Sequence, residues 1–221
     1  MLASTEVDPS ALNFSASAAS FSQNVNGRTY QRPPLSTLNG YQYATYYDGN
    51  RRVCVARRKL PAGAWNVIRF TDYSITGNDS HNVVALGICA ADGTIHLAFD
   101  HHADALNYRV SVPGVATNPD FVTWSASLFG PVTDNLGSLG KLSSVTYPTF
   151  FNTPNGNLML YYRNGGSGSG DGMLQEYNGT TGQWTSGLGK FIARSGTYSG
   201  ALSTNSTSRN PAPPPTRGNA R

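Results

Sequence analysis

Residues 79–109 read DSHNVVALGICAADGTIHLAFDHHADALNYR, and this stretch decides the fold class. Two apolar runs flank Asp92-Gly93, and Asp-Gly between apolar runs is a strong signal for a β-hairpin. The stretch therefore predicts a strand near residues 82–89, a tight turn, and a return strand over residues 95–100.

All four histidines of the chain lie in this region. His81 precedes the first predicted strand, while His101 and His102 follow the second. A tight turn brings the outer ends of two antiparallel strands together, so we expect these three histidines to be neighbours. Histidine titrates near neutrality, which suits proton transfer. Histidines at strand ends are also often ordinary loop residues, and His96 is interpreted as one face of the return strand, so a structural role stays open.

The composition favours an all-β protein. The chain has 221 residues with 13% charged residues, 24 Gly, 12 Tyr and 9 Phe, and many aromatic residues and glycines with few charges are typical of strands and tight turns. A net charge of +4 suits an anionic ligand, but the basic residues cluster only at 51–52 and 57–59, so nucleic-acid binding is not expected. No apolar run approaches the length of a membrane helix, and no signal peptide is visible at the N-terminus.

Cys54 and Cys89 both lie in apolar strand contexts, and neither belongs to a Cys-x-x-Cys pair. They form either one disulfide or two buried thiols. We favour buried thiols.

A phrase of strand, turn and strand recurs along the chain. Strands are predicted over residues 38–47, 52–57, 66–70, 83–89, 95–99, 106–112, 145–151, 158–163 and 173–177. Trp65, Trp124 and Trp184 fall 59 and 60 residues apart, each after a polar turn that closes a group of strands. An aromatic residue at a fixed phase is typical of β-propeller blades, although a β-sandwich with three coincidental tryptophans would look similar.

We therefore predict an all-β protein, a partial β-propeller with four-stranded antiparallel blades. Its domain is expected over residues 22–195 and holds about three to four blades, whereas closed propellers have about 4–8. The chain is thus expected to be truncated, or another chain supplies the missing blades. Residues 1–21 are expected to be poorly ordered or an edge strand, and residues 196–221 a disordered low-complexity tail.

The glycine-rich run GGSGSGDG at residues 165–172 is not a phosphate loop, because it lacks the following Lys-Ser/Thr and a helix. It is expected to connect two strands where the backbone passes close to a ligand.

Four phrases of the chain resemble the BNR-repeat (BNR-4) proteins. They are NGYQYATYYDGNRRVCVARRKLPAGAW at 39–65, the stretch at 79–109, VTYPTFF at 145–151 and LYYRNGGSGSGDG at 160–172. The resemblance covers roughly residues 22–195 and implies a seven-bladed propeller. Lyases of this kind are secreted and cleave uronate-containing glycans, of ulvan or rhamnosyl-glucuronate type, by β-elimination. The resemblance thus implies an anionic polysaccharide substrate and no cofactor required for catalysis.

In those lyases, two histidines at the ends of one hairpin act with a tyrosine and an arginine from the next blade. The catalytic roles then fall on these residues: His81, His101 or His102, Tyr147 and Arg163. Substrate binding falls on three residues of the same phrases: Asn82, Arg109 and Tyr162. The sequence does not separate His101 from His102.

The chemistry of β-elimination gives these residue types distinct roles. The enzyme must remove the proton alpha to a carboxylate and expel the glycosidic oxygen beta to it. Arg163 offers a bidentate partner for the carboxylate, and Tyr147 can act as base and acid or share these roles with His81. Pro148 predicts an extended backbone at Tyr147. The alternatives without a catalytic role are a cross-strand aromatic pair for Tyr147 and a surface strand residue for Arg163.

Three other functions compete with a lyase. A sialidase-like glycosidase needs two positioned carboxylates, and the candidates Asp79, Asp100, Asp104 and Asp171 follow no pairing pattern. A propeller that binds carbohydrate without catalysis is the second alternative. The third is a metal site, with a structural calcium or zinc ion on the following residues: His81, His101, His102 and Asp100. Their spacing matches no standard metal motif, so no catalytic metal is expected.

Overall fold

The computed structural model describes residues 4–13, 24–27 and 31–194, and β-strands dominate these ranges. The strands are β1 Leu35–Leu38, β2 Tyr41–Tyr47, β3 Arg52–Lys59, β4 Asn66–Ser74, β5 Val84–Ile88, β6 Ile95–Phe99, β7 His102–Asp104, β8 Tyr108–Val110, β9 Val145–Asn152, β10 Leu158–Asn164, β11 Asp171–Asn178 and β12 Gln183–Ile192. Short 3-10 turns lie at Pro119–Phe121, Ala126–Leu128 and Gly137–Leu139. The predicted all-β class is confirmed.

Three antiparallel sheets follow one another along the chain, and we call them blades 1, 2 and 3. Blade 1 has the order β1-β2-β3-β4, and blade 3 has the order β9-β10-β11-β12 with β7 added beside β9. Blade 2 contains β5, β6 and β8, and two isolated bridges, Tyr108–Thr133 and Ser111–Phe129, extend it beyond β8. The predicted partial propeller is confirmed, and no sheet closes on itself within the described residues.

Strand β5 packs between the two neighbouring blades, and its alternating side chains explain how. Val84, Leu86 and Ile88 belong to the core shared with blade 1, whereas Ala85 belongs to the core shared with blade 3. On that second face a Cβ at Gly87 would come within 2.5 Å of the Phe150 ring. Only glycine therefore allows blades 2 and 3 to approach this closely.

The strand predicted over residues 38–47 forms over Tyr41–Tyr47 as β2, but its predicted start at residue 38 is wrong. The chain instead turns at Asn39-Gly40 to form the hairpin of β1 and β2. Both turn residues have positive φ, +47° and +74°, as a two-residue type I′ hairpin turn requires. The predicted strand ran through this Asn-Gly pair, which is itself a strong hairpin signal.

The tryptophan spacing reflects two equivalent positions and one coincidence. Trp65 directly precedes β4, and Trp184 is the second residue of β12, so both mark the outermost strand of a blade. Trp124 instead lies between β8 and β9, where its ring contacts Tyr43 and the guanidinium of Arg57.

Cys54 and Cys89 are free and buried, which confirms the prediction of buried thiols. Within the described part of the N-terminal segment, Ala11 bridges to Asp48 and Leu12 is buried in the core. The predicted tail over residues 196–221, like residues 14–21, lies outside the described residues. In the described ranges no helix is both long and apolar enough to cross a membrane.

Candidate active site

The β5–β6 hairpin brings His81 and His102 into contact at one end of blade 2. Their imidazole rings stack with centroids 4.3 Å apart and planes inclined by 27°. The carboxylate of Asp79 joins them, because Oδ1 lies 2.5 Å from Nδ1 of His81 and Oδ2 lies 2.6 Å from Nδ1 of His102. Two histidines 21 positions apart in sequence thus share one carboxylate.

The hydrogen bonds of Asp79 determine its charge. Burial alone would raise the pKa of its carboxyl, but hydrogen bonds from the backbone N–H of His81 and from the rings of His102 and His81 outweigh burial and lower the pKa. An ionised carboxylate only accepts hydrogen bonds, so each Nδ1 that faces it carries a proton. In the neutral rings the Nε2 atoms then hold the lone pairs, and each can act as a base.

Tyr147 approaches the histidine pair from blade 3. Its ring centroid lies 5.8 Å from that of His81. The β9–β10 register shifts here, from Tyr161 opposite Thr149 to Arg163 opposite Thr146, which is the pattern of a β-bulge. Tyr147 lies in the bulge with φ +54°, so the extended backbone predicted from Pro148 is wrong. A non-glycine residue held there costs about 1–3 kcal/mol, and such strain is concentrated at functional sites.

Arg163 lies on β10 beside Tyr147. Its guanidinium carbon is 5.6 Å from the centre of the Tyr147 ring. The glycine-rich loop passes directly behind it, because a Cβ at Gly170 would come within 3.0 Å of Cβ of Arg163. The loop therefore connects two strands, β10 and β11, as predicted, and it lies against a candidate catalytic residue.

Thr146 holds these elements together, although no sequence motif marks it as a candidate. It is fully buried and pairs with His102 across β7 and β9. Its Oγ1 accepts the N–H of Ala103 at 2.8 Å and donates to the carbonyl of Gly165 at 2.7 Å. One hydroxyl thus ties the histidine strand, the tyrosine strand and the glycine-rich loop.

His101 lies apart from this cluster. Its side chain is 1% exposed, and its Nε2 accepts the backbone N–H of Asn107 at 2.9 Å. Burial lowers its pKa to about 3, so the ring is neutral. Asp100 and Ala103 both have positive φ, +63° and +68°, and these bends break the strand alternation around the two histidines. Only His102 reaches the site.

His96 is a core residue, in line with its interpretation as one face of the strand. It is fully buried, with Nε2 2.6 Å from Oγ1 of Thr94 and Nδ1 2.6 Å from the hydroxyl of Tyr108. Burial lowers its pKa to about 3. Its ring packs edge-on against Tyr177 and Trp184.

The three residues expected to bind substrate lie in different surroundings. Asn82 is next to His81 and donates from its side-chain amide to Asp100. Arg109 is 3% exposed and stacks its guanidinium 3.9 Å from the centre of the Phe70 ring, between blades 1 and 2. Tyr162 is 2% exposed in the core between blades 2 and 3. We reassign Arg109 and Tyr162 to packing, because neither side chain is accessible at the histidine pair.

The residues suggested for a metal are only partly together. The donor atoms of Asp79, His81 and His102 lie within 4.8 Å of one another. Two imidazole nitrogens and a carboxylate suit zinc better than calcium. Asp100 instead binds Tyr73 and Asn82, and His101 faces the interior.

The carboxylates proposed for a glycosidase have other partners. Asp79 holds the two histidines, and Asp104 accepts the backbone N–H of His102 at 3.0 Å. Asp171 forms an ion pair with Lys190 at 2.9 Å. Asp100 accepts a hydrogen bond from Tyr73 at 2.5 Å.

The chain is similar to ulvan lyases in sequence. It is 29% identical over 188 residues to the long isoform of ulvan lyase from Alteromonas sp, a match that covers 68% of this chain and 19% of that protein. It is 27% identical over 186 residues to the short isoform from Alteromonas sp. (strain LOR), covering 66% of this chain and 35% of that protein. The chain thus spans about a fifth to about a third of the length of these relatives.

Solved polysaccharide lyase structures share the fold. The crystal structure of polysaccharide lyase Uly1 superposes with a TM-score of 0.65 at 22% identity, covering 82% of this chain and 46% of that chain. A PL25 ulvan lyase bound to -[GlcA(1-4)Rha3S]- gives a TM-score of 0.56 at 17% identity, covering 78% and 41%.

A family model described as a BNR repeat-containing family member matches residues 41–210, which is more than half of the chain. The match begins at β2, so it leaves out only β1 of the three blades, and it includes His81, His102, Tyr147 and Arg163. The chain belongs to the BNR repeat-containing family.

Proposed function

We propose that this chain forms one wall of the active site of a polysaccharide lyase, which cleaves a uronate-containing glycan of ulvan or rhamnosyl-glucuronate type by β-elimination. The observation that supports it most directly is the convergence of four side chains from blades 2 and 3: His81, His102, Tyr147 and Arg163. The names of the relatives point in the same direction.

Arg163 is the residue that neutralises the uronate carboxylate. Its planar guanidinium can form two parallel hydrogen bonds with a carboxylate. That contact makes the adjacent C–H more acidic and stabilises the negative charge that develops in the enolate-like intermediate. The guanidinium carbon lies 5.6 Å from the centre of the Tyr147 ring, so a carboxylate bound to Arg163 would lie near the tyrosine.

The histidine pair and Tyr147 move the protons. The Nε2 lone pair of His81 removes the proton alpha to the carboxylate, and the C–H electrons form the new double bond. The bond to the glycosidic oxygen then breaks, and the Tyr147 hydroxyl donates its proton to that oxygen. The resulting phenolate regains a proton from the imidazolium of His81, whose ring lies next to it.

Asp79 positions the bases for this cycle. It holds both rings through Nδ1 and so directs both Nε2 atoms away from itself. Its negative charge also stabilises the imidazolium that forms when a ring takes the proton. His102 rather than His101 takes the second histidine role, because His101 is buried and bonded through Nε2.

The chemistry requires no metal, since Arg163 supplies the positive charge that the carboxylate needs. We therefore expect a chelator to leave the rate of cleavage unchanged. Added zinc is expected to inhibit, because it would bind among Asp79, His81 and His102. Binding there would displace the Nδ1 protons of the two histidines.

The proposal is tested by incubating the protein with ulvan, a glucuronan and gum arabic and following the ultraviolet absorbance of the unsaturated uronate. We expect this chromophore to appear with at least one polymer. The rate should fall by about 100-fold or more in Tyr147→Phe, which loses the proton donor but keeps the ring. Reducing ends without the chromophore would indicate hydrolysis and contradict the proposal.

A carbohydrate-binding protein without catalysis is the second candidate. It is favoured by the contact of Arg163 with the Tyr147 ring, because a guanidinium beside an aromatic ring can bind a uronate carboxylate without any proton transfer. Binding of a uronate polymer with no chromophore on any of the three substrates would support this candidate instead.

A further inference from the structure

A cavity of about 430 Å³ lies beside the histidine pair, between blades 1 and 2. Side chains that line it include Tyr73 from the end of β4 and Asn82, Asp100, Asp104 and Asn107 from the two ends of the hairpin. A cavity of this size is within the range of small-ligand sites. None of the roles proposed above uses it.

The cavity is continuous with the proposed catalytic residues. Asn82 follows His81 directly in sequence, and Oδ2 of Asp104 accepts the backbone N–H of His102 at 3.0 Å. Blade 2 therefore has the cavity on its blade 1 side and Tyr147 with Arg163 on its blade 3 side. A polymer that places one sugar at Arg163 can place a neighbouring sugar in this cavity.

The charge of the cavity is opposite to that of the Arg163 side. Two carboxylates, Asp100 and Asp104, line it, and the residues of the described ranges that line it include no lysine or arginine. Arg51 donates to the carbonyl of Gly77 at the rim, at 2.8 Å, but does not line the cavity.

We propose that the cavity is a subsite for an uncharged sugar residue next to the uronate, and that it selects against a sulfate ester on that residue. The proposal rests on the proposed lyase function. Sugar hydroxyls can donate hydrogen bonds to the carboxylates of Asp100 and Asp104. They can also donate hydrogen bonds to the side chains of Asn107 and Tyr73 and accept hydrogen bonds from them. A sulfate ester has no proton to donate and would meet like charge, which is how sites reject a wrong ligand.

This selectivity would separate the chain from a structural neighbour. The PL25 ulvan lyase structure holds -[GlcA(1-4)Rha3S]-, whose rhamnose carries a sulfate. The carboxylate lining predicts that this chain prefers the same repeat without the sulfate.

Calorimetric titration of two tetrasaccharides, alternating glucuronate and rhamnose with and without the 3-sulfate, tests the proposal. The Tyr147→Phe protein is used because its cleavage is slowed by about 100-fold or more, so that binding is measured with little turnover. We expect the unsulfated probe to bind about tenfold more tightly or better, because like charges in contact weaken binding by at least this much. Asp104→Asn should narrow this ratio, because the amide removes a charge but can still accept the N–H of His102.

Asp120→Asn is the matched control, since Asp120 is an exposed carboxylate paired with Lys59 at the opposite end of blade 1. It should leave the ratio unchanged. Equal binding of both probes, a preference for the sulfated probe, a ratio that Asp104→Asn does not alter, or no binding of either probe would each overturn the subsite. Because the readout is binding, selective binding without cleavage would preserve the subsite while the lyase proposal failed.

Discussion

Asp79 holds two imidazoles with one carboxylate, and this sharing decides which nitrogen of each ring faces the carboxylate. Both Nδ1 atoms face it, so both Nε2 atoms are directed away from it. A single histidine with its own carboxylate could lose its partner without affecting a second ring. Here one side chain orients both.

Asp79→Asn should therefore impair catalysis more than binding. An amide offers one acceptor and one donor, so one of the two rings must move its proton to Nε2. We expect kcat to fall by about 100-fold with little change in KM, as for other losses of a positioned base. Nitrogen-15 NMR of the imidazoles should show the new Nε2–H tautomer. Unchanged imidazole resonances, or kcat equal to that of Asp120→Asn, would refute the positioning role.

The lowered pKa of Asp79 also links this residue to stability at acid pH. Because the folded state binds its proton less tightly than the unfolded state, Asp79 stabilises the fold above its unfolded pKa of about 4. That contribution disappears as pH falls through the lower pKa of the folded state. Urea unfolding of wild type and Asp79→Asn should differ at neutral pH and converge under strongly acidic conditions. A difference that persists there would contradict the assignment.

The buried histidines predict a second pH effect, at higher pH. The pKa of His101 falls from 6.5 to about 3 on folding, so between these values the unfolded chain takes up a proton that the folded chain does not. Stability should therefore decrease as pH falls below about 6.5, by up to about 1.4 kcal/mol per pH unit for each such histidine. His101→Gln keeps an acceptor for the Asn107 N–H but cannot titrate. Its unfolding free energy should depend less steeply on pH, and an identical slope would refute the prediction.

Among the strands, one close contact sets the distance between β5, which follows His81, and β9, which carries Tyr147. Gly87 on β5 lies against Phe150 on β9, three residues beyond Tyr147. The same pair of blades contributes His81 and Tyr147 to the site.

Gly87→Ala should separate the two blades. The new methyl would start 2.5 Å from the Phe150 ring, and such overpacking costs about 1–3 kcal/mol. Urea unfolding should show this loss, and cleavage should slow as Tyr147 moves from the histidines. Gly166→Ala is the control, because its new Cβ would meet only the Ser169 hydroxyl at 3.5 Å. Equal stability of the two variants would show that the contact does not fix the blades.

Strand-level features divide clearly between those that sequence can predict and those it cannot. The β5–β6 hairpin was predictable, because Asp92-Gly93 separates two apolar runs and turn chemistry is local. The bulge at Tyr147 was not, since it depends on how β9 pairs with β10 rather than on residues near Tyr147. The choice between His101 and His102 depends on left-handed backbone at Asp100 and Ala103, which no period-two pattern anticipates.

At the scale of the molecule, the three blades form a gradient of charge across one surface. Arg163 of blade 3 provides the positive end, the histidines and Asp79 lie in the middle, and the cavity with Asp100 and Asp104 forms the negative end. An alternating polymer of charged and uncharged sugars matches this order. Family membership could be predicted from four sequence phrases, but the order of charges required the packing of β5 between its neighbours.

The proposed lyase breaks the glycosidic bond by elimination, and the fate of water distinguishes elimination from hydrolysis. The polymer is incubated with the protein in water enriched in heavy oxygen, and the products are examined by mass spectrometry. Elimination predicts that no heavy oxygen enters either product. It also predicts that the unsaturated product is lighter by one water molecule than the same fragment released by hydrolysis. Hydrolysis would instead place heavy oxygen at the newly formed reducing end, and neither product would lack a water molecule. That result would contradict cleavage by elimination.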